Sequence, residues 1–209
     1  MNAAISSALS ATPLVAILRG LTPDEAVDIG EALVAEGLTC LEVPLNSPDP
    51  LVSIRRLRDA LDGRAFVGAG TVLDVSAVKA VADAGGQLVI SPNANAEVIK
   101  ASKAAELFSM PGFFTPTEAF MALDAGADVL KLFPAELAGP TGMRAVRAVL
   151  PRAAAVYAVG GVGPADMTSW RAAGASGFGV GSALYRPGRT AEAVGAAARE
   201  FMAALAVRE

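Results

Sequence analysis

Ala65-Phe66-Val67-Gly68-Ala69-Gly70-Thr71 is a short apolar run that ends in glycines, and a helical-period segment, Asp74–Ala84, follows it. Gly85-Gly86 stops that segment, and Gln87-Leu88-Val89-Ile90 begins a second apolar run. Two β-rich runs joined through a helix form the unit of a parallel sheet with its helices outside. The same pattern extends in both directions. Strands are predicted at Leu14–Leu18, Thr39–Val43, Ala65–Gly68, Gln87–Ile90, Leu107–Met110, Val129–Phe133, Ala155–Val159 and Gly177–Gly181. Helices are predicted at Thr22–Glu36, Asp49–Leu61, Asp74–Ala84, Ala94–Lys103, Thr115–Ala125, Met143–Leu150, Ala165–Ala173 and Thr190–Ala206. Thr22-Pro23-Asp24-Glu25 has the residues of a capped start, and Gly85, Gly126 and Gly174 stand where helices turn back. An open doubly wound sheet would also alternate in this way. Eight regular units in 209 residues favour closure into a single-domain α/β protein, a (β/α)8 TIM barrel over residues 1–209.

Composition narrows the function. The sequence has no histidine, which removes histidine-based zinc sites and leaves Glu, Asp, Lys, Tyr and Ser for acid–base work. Magnesium held by carboxylates stays open. Cys40 is the one cysteine and lies between apolar residues, so it reads as core filler. A net charge of −4 with no Lys/Arg run argues against a nucleic-acid partner. The apolar runs are too short for a membrane span, and Met1–Thr12 lacks the parts of a signal peptide, so the expected location is cytoplasmic.

In parallel α/β folds chemistry gathers at the carboxyl ends of the strands. Lys131 sits within Val129-Leu130-Lys131-Leu132-Phe133, where strand alternation sends Val129, Lys131 and Phe133 to one side. Turned inward, the lysine is partly desolvated and a larger fraction is neutral amine able to attack a carbonyl. Turned to the rim, it pairs with a carboxylate. Glu42, the single charge in Leu41-Glu42-Val43, has the same two readings: the proton-transfer partner of an imine-forming lysine, or half of a buried salt bridge. Gly160-Gly161 and Gly181-Ser182 follow strands seven and eight, where barrels frequently hold phosphate, although turn glycines would explain either pair alone. Arg19 is a candidate carboxylate clamp or a surface arginine, and Thr71 a hydroxyl donor or a helix cap. Arg55, Arg56 and Arg58 read as a solvated face, and Tyr157 and Trp170 as packing residues.

Taken together, Ala16-Ile17-Leu18-Arg19-Gly20, Leu41-Glu42-Val43-Pro44-Leu45-Asn46-Ser47, Gly68-Ala69-Gly70-Thr71-Val72, Ser91-Pro92-Asn93, Lys131-Leu132-Phe133-Pro134-Ala135 and Ala158-Val159-Gly160-Gly161-Val162 resemble the class I 2-keto-3-deoxy-6-phosphogluconate and 6-phosphogalactonate aldolases. The resemblance runs from about Pro13 to Tyr185. It implies Lys131 as the Schiff-base lysine, Glu42 as general acid/base and Thr71 as a carboxylate ligand. It also implies Pro92 and Phe133 as pocket walls, and Gly161, Gly181 and Ser182, with Gly160 beside them, as the phosphate site. No metal or other cofactor is implied. The partners implied are a phosphorylated keto-deoxy sugar acid, pyruvate and further copies of the chain in a homotrimer. Asn46 stands where the phosphogluconate branch has an arginine, so Arg19 must supply the carboxylate ligand, as in the phosphogalactonate branch. Val159 stands where the phosphogluconate branch usually has a threonine, and it offers no hydroxyl to the substrate. These departures point to 2-dehydro-3-deoxy-6-phosphogalactonate, cleaved to pyruvate and D-glyceraldehyde 3-phosphate in galactonate breakdown. The alternatives are a phosphogluconate or 4-hydroxy-2-oxoglutarate aldolase using the same lysine, and a non-catalytic barrel that binds a sugar phosphate. A metal-dependent sugar-phosphate epimerase would share the barrel but lacks its usual histidines here.

Overall fold

The computed structural model describes residues 2–207. Nine strands, all parallel to their neighbours, make one sheet: β1 (Leu14–Ile17), β2 (Cys40–Pro44), β3 (Phe66–Gly70), β4 (Leu88–Ile90), β5 (Phe108–Met110), β6 (Gly112–Phe113), β7 (Leu130–Leu132), β8 (Val156–Val159) and β9 (Gly177–Val180). Their order is β5-β4-β3-β2-β1-β9-β8-β7-β6. The two ends of that order are halves of one bent run separated only by Pro111, which has no N–H to give to the ladder. On one side of this run Leu88 pairs with Phe108. On the other, the Ser109 carbonyl accepts from Asp128 N and the Pro111 carbonyl from Lys131 N, both at 2.9 Å. The sheet therefore returns on itself as a barrel whose fifth strand is β5 plus β6. The strand predicted over Leu107–Met110 runs on past Met110 into Gly112-Phe113. It continues there because Gly112 lets the Pro92 carbonyl approach where a Cβ would overlap it.

Helices alternate with the strands around the outside: α2 (Ala26–Ala35), α3 (Pro50–Ala60), α4 (Val75–Asp83), α5 (Ala96–Ala104), α6 (Pro116–Asp124), α7 (Ala135–Arg147), α8 (Met167–Ala172) and α9 (Ala191–Ala206). Several begin on side-chain caps: Asp74 for α4, Asn95 for α5, Thr115 with Glu118 for α6 and Thr190 for α9. Two boundaries depart from expectation. At Thr22–Glu25 the Glu25 carboxylate accepts from the Thr22 N–H at 2.9 Å, but regular helix starts only at Ala26. α7 starts eight residues before the predicted Met143, because Ala135–Ala138 already coil before Gly139, at φ 63°, breaks the path. No helix among the described residues is long and apolar enough to cross a membrane.

The core has two parts, and strand alternation separates them. Leu14, Ala16, Leu41, Val43, Val67, Ala69, Leu130, Leu132, Val156 and Ala158 pack outward with helix residues such as Leu33, Leu57, Val81 and Phe201. Val15, Cys40, Phe108, Val129 and Tyr157 turn inward and meet Ile5 and Leu9. Those last two belong to α1 (Asn2–Ala11), a helix absent from the sequence expectation, which closes the barrel floor. The Tyr157 hydroxyl donates to the Leu9 carbonyl at 3.3 Å. Inside a barrel this narrow, large residues need small neighbours. Gly177 stands beside Tyr157 and Gly179 beside Val159, and a Cβ at either would overlap that partner.

Candidate active site

Because β2 is the second barrel strand and β7 the sixth, Glu42 and Lys131 project into the barrel from opposite walls. Both are buried, at 1% and 5% exposure, although each carries an ionisable group. Burial pushes the Glu42 carboxyl up to about 7, against the attraction of Lys131 and Arg19, which favours the ionised form. Burial likewise lowers the Lys131 ammonium, Glu42 opposes that shift, and the positive charge of Arg19 adds to it. The rim-lysine reading therefore fails. Lys131 Nζ lies 4.7 Å from the centre of the Phe133 ring, and Glu42 Oε2 has no hydrogen-bond partner among the described residues. Gly70 makes room for this carboxylate, since a Cβ there would overlap it.

A cavity of about 570 Å3 opens at the carboxyl ends of β7, β8, β9 and β1, which is where the strand pattern located the chemistry. Arg19, Lys131, Phe133, Val159, Gly160, Gly161, Gly181 and Ser182 all line it. Four expected residues do not. Glu42 lies within the barrel, linked to the cavity through its charge interactions with Lys131 and Arg19. Asn46 acts on Arg19 itself: its Oδ1 accepts from Arg19 Nη1 at 2.6 Å. Pro92 packs its carbonyl against Gly112, the register partner of Lys131. Thr71 follows Gly70 in the left-handed region, at φ 57°, which is unfavourable for a β-branched residue.

The backbone around Thr71 explains how that conformation persists. Gly70 O accepts from Leu45 N at 2.8 Å, Val72 N donates to Ile90 O, and the buried Ser91 hydroxyl donates to Val72 O at 2.7 Å. Surroundings that fix the chain on both sides can hold one strained residue, and such residues cluster at functional sites. The helix-cap reading of Thr71 is excluded, because Asp74 caps α4. Ser47 performs a similar service for Arg19: its hydroxyl accepts from Gly20 N at 2.9 Å and pins the turn after β1.

Gly70, Ser47 and Ser91 stood inside the motifs but were not singled out, because their function is to shape backbone. Asp166 and Arg186 also line the cavity, and in the sequence they look like ordinary surface charges. Cys40 is buried core, its thiol pushed up to about 12 by burial, and Trp170 packs in the outer core. Among the described residues no three or more His, Cys, Asp or Glu side chains are grouped to hold a metal ion.

The site thus joins a desolvated amine on the cavity wall, a carboxyl within the barrel that titrates near neutrality, an arginine held by an amide, and two glycine turns. Relatives carry the same arrangement of strands. The chain is 46% identical to the 2-dehydro-3-deoxy-6-phosphogalactonate aldolase of Escherichia coli (strain K12) over 192 residues, covering 92% of this chain and 94% of the relative. It is 48% identical to a probable 2-dehydro-3-deoxy-6-phosphogalactonate aldolase of Rhizobium meliloti (strain 1021), covering 86% of this chain and 84% of the relative. A solved native KDPGal structure superposes with a TM-score of 0.91 at 46% identity, over 92% of this chain and 94% of that one. The family model described as KDPG and KHG aldolase matches residues 5–194, so the chain belongs to the KDPG and KHG aldolase family.

Proposed function

We propose that this protein is a class I aldolase that cleaves 2-dehydro-3-deoxy-6-phospho-D-galactonate to pyruvate and D-glyceraldehyde 3-phosphate. The observation that carries the reading is the buried Lys131 facing the buried Glu42 across a barrel whose mouth also holds Arg19. A lysine with a lowered pKa supplies neutral amine to attack the C2 ketone. A carboxyl that titrates near 7 has both protonation states available at neutral pH. Glu42 can therefore give the proton that lets water leave the carbinolamine, then take the C4 hydroxyl proton as the C3–C4 bond breaks. The protonated imine on Lys131 receives the electron pair of that bond. The resulting enamine takes a proton at C3, and water releases pyruvate from the lysine.

In this scheme Arg19 and Thr71 hold the substrate carboxylate, with Asn46 orienting Arg19 at 2.6 Å. Pro92 and Phe133 wall the pyruvate half, and Gly160, Gly161, Gly181 and Ser182 take the phosphate on neutral donors. Two features favour the galacto epimer: Val159 presents no hydroxyl to C4, and an arginine at position 46 would meet Arg19 rather than accept from it. Family relationship supports a cytoplasmic homotrimer, and we read the chain as one domain.

The test is borohydride trapping with pyruvate, followed by kcat/KM for the two C4-epimeric 6-phosphate substrates. Wild type should gain a reduced pyruvyl adduct on Lys131, Lys131→Met none, and the galacto epimer should be strongly preferred. Equal or reversed preference would keep the lysine chemistry and replace the substrate by the gluco epimer. Ligand binding without any adduct would make the protein a sugar-phosphate-binding barrel.

A further inference from the structure

The cavity surface carries a cation to which the scheme above gives no task. Arg186 stands four residues beyond Ser182 and lines the same cavity as Lys131, Gly160, Gly161, Gly181 and Ser182. Its Nε donates to the Ser182 carbonyl at 2.8 Å, which fixes the guanidinium against the loop after β9. Its two terminal nitrogens make no hydrogen bond or ion pair among the described residues. Arg189, three residues on, is used differently. Its Nη1 donates to the Ala183 and Leu184 carbonyls at 2.8 and 2.7 Å, so that nitrogen holds the loop, and the residue does not line the cavity.

Charge at this end of the cavity gives the contrast its meaning. A phosphate monoester carries about −1.5 to −2 charges at neutral pH. The glycine donors offered to it are uncharged, and two carboxylates stand nearby. A Cβ on Gly161 would run into Glu136, and Asp166 lines the cavity with its Oδ2 2.8 Å from Gly163 N. The other cations on the cavity surface are Arg19 and Lys131, which the aldolase reading places at the carboxylate and at C2. A dianion brought beside two carboxylates needs an opposite charge, and a planar guanidinium held by Nε presents its remaining N–H groups as a fork suited to phosphate oxygens.

We infer that Arg186 binds the phosphate of the substrate directly and is the residue that makes the enzyme prefer phosphorylated over unphosphorylated keto-deoxy sugar acids. The inference rests on the aldolase reading. The rival account is that Arg186 merely holds Ser182 in place through its Nε bond.

The two accounts separate in the full-length protein with Arg186→Gln and Arg186→Lys. Kinetics would be measured on the 6-phosphate substrate and on its unphosphorylated counterpart, with inhibition by inorganic phosphate alongside. Direct binding predicts that Arg186→Gln lowers kcat/KM for the phosphorylated substrate about 10- to 100-fold, chiefly through KM, the size expected for one charge-assisted contact. Cleavage of the unphosphorylated substrate should change less than about twofold, and phosphate inhibition should weaken in parallel. Arg186→Lys keeps the charge but loses the Nε bond, so it should retain most of the phosphate preference. Equal losses on both substrates, or a lysine variant as impaired as the glutamine one, would overturn the inference in favour of loop positioning. No loss on either substrate would overturn it outright. Pyruvate trapping on Lys131 serves as the control: if wild type forms no adduct, it is the aldolase reading that fails.

Discussion

The floor and the mouth of the barrel are built from the same four walls, two residues apart. Val15, Cys40, Val129 and Tyr157 face inward low in the barrel; Ile17, Glu42, Lys131 and Val159 face inward one pleat higher. The lower set closes on Ile5 and Leu9 of α1 as an apolar core. The upper set carries two ionisable groups, and three of its members, Ile17, Lys131 and Val159, line the cavity. Burial alone does not tell the two apart, since Cys40 is 2% exposed and Glu42 1%. What differs is the consequence of burial. Desolvation moves the Cys40 thiol to about 12, out of reach at neutral pH, and moves the Glu42 carboxyl to about 7, into reach. One physical effect makes the floor inert and the mouth reactive, because the groups start from opposite sides of neutrality.

The largest expected effect comes from neutralising the mouth. Glu42→Gln keeps the side-chain shape and removes the proton shuttle, so kcat for pyruvate release should fall roughly 10²- to 10⁴-fold. Stability should move the other way. The native carboxyl keeps its proton until about pH 7, whereas the unfolded one releases it near its ordinary value, about 4.3. Its contribution is therefore fully present below the unfolded value and is lost as pH rises through 7. The variant has no such loss. Its advantage in unfolding free energy should grow between about pH 4 and 7, to on the order of 3 kcal/mol, and level off above. Denaturant titrations across that range would show it. A stability difference independent of pH would mean that Glu42 ionises normally, and the contrast with Cys40 would collapse.

The floor should respond in the opposite sense. Leu9→Ala removes buried side chain from the plug and should cost about 2 to 5 kcal/mol of unfolding free energy. Well below the unfolding transition, kcat/KM should stay within about twofold of wild type, a change worth less than half a kcal/mol. Loss of activity without loss of stability would show that α1 shapes the mouth as well as the floor.

The same contrast governs how much the sequence revealed. All eight predicted strands formed, and Lys131 turned inward as alternation required, with Leu130 and Leu132 in the outer core. Period and alternation are local properties, so a single charge in an apolar strand is visible before folding. α1 escaped notice because its reason for existing is tertiary: Ile5 and Leu9 have a partner only once the floor residues come together. The continuation of strand five through Pro111 was hidden for a similar reason, since it depends on Lys131 N finding the Pro111 carbonyl. Most of the expected cavity residues were legible as strand ends. Arg186 was not, because nothing in its neighbourhood of sequence distinguishes it from Arg189, and only its place on the cavity wall and its hydrogen bonding do.

Asn46 tests the mouth most gently. Its Oδ1 is the acceptor that fixes Arg19 Nη1 at 2.6 Å, yet both side chains are exposed, so water can replace much of what the bond supplies. Asn46→Ala should therefore leave kcat nearly unchanged and raise KM about 5-fold, as Arg19 samples orientations that miss the carboxylate. Pyruvate inhibition should weaken by the same factor, because pyruvate presents the same carboxylate. Phosphate inhibition should not change, because that end of the cavity is held by other strands. A matching loss at the phosphate end would mean that Asn46 shapes the whole mouth, whereas no change in pyruvate binding would show that the turn pinned by Ser47 already fixes Arg19 without help.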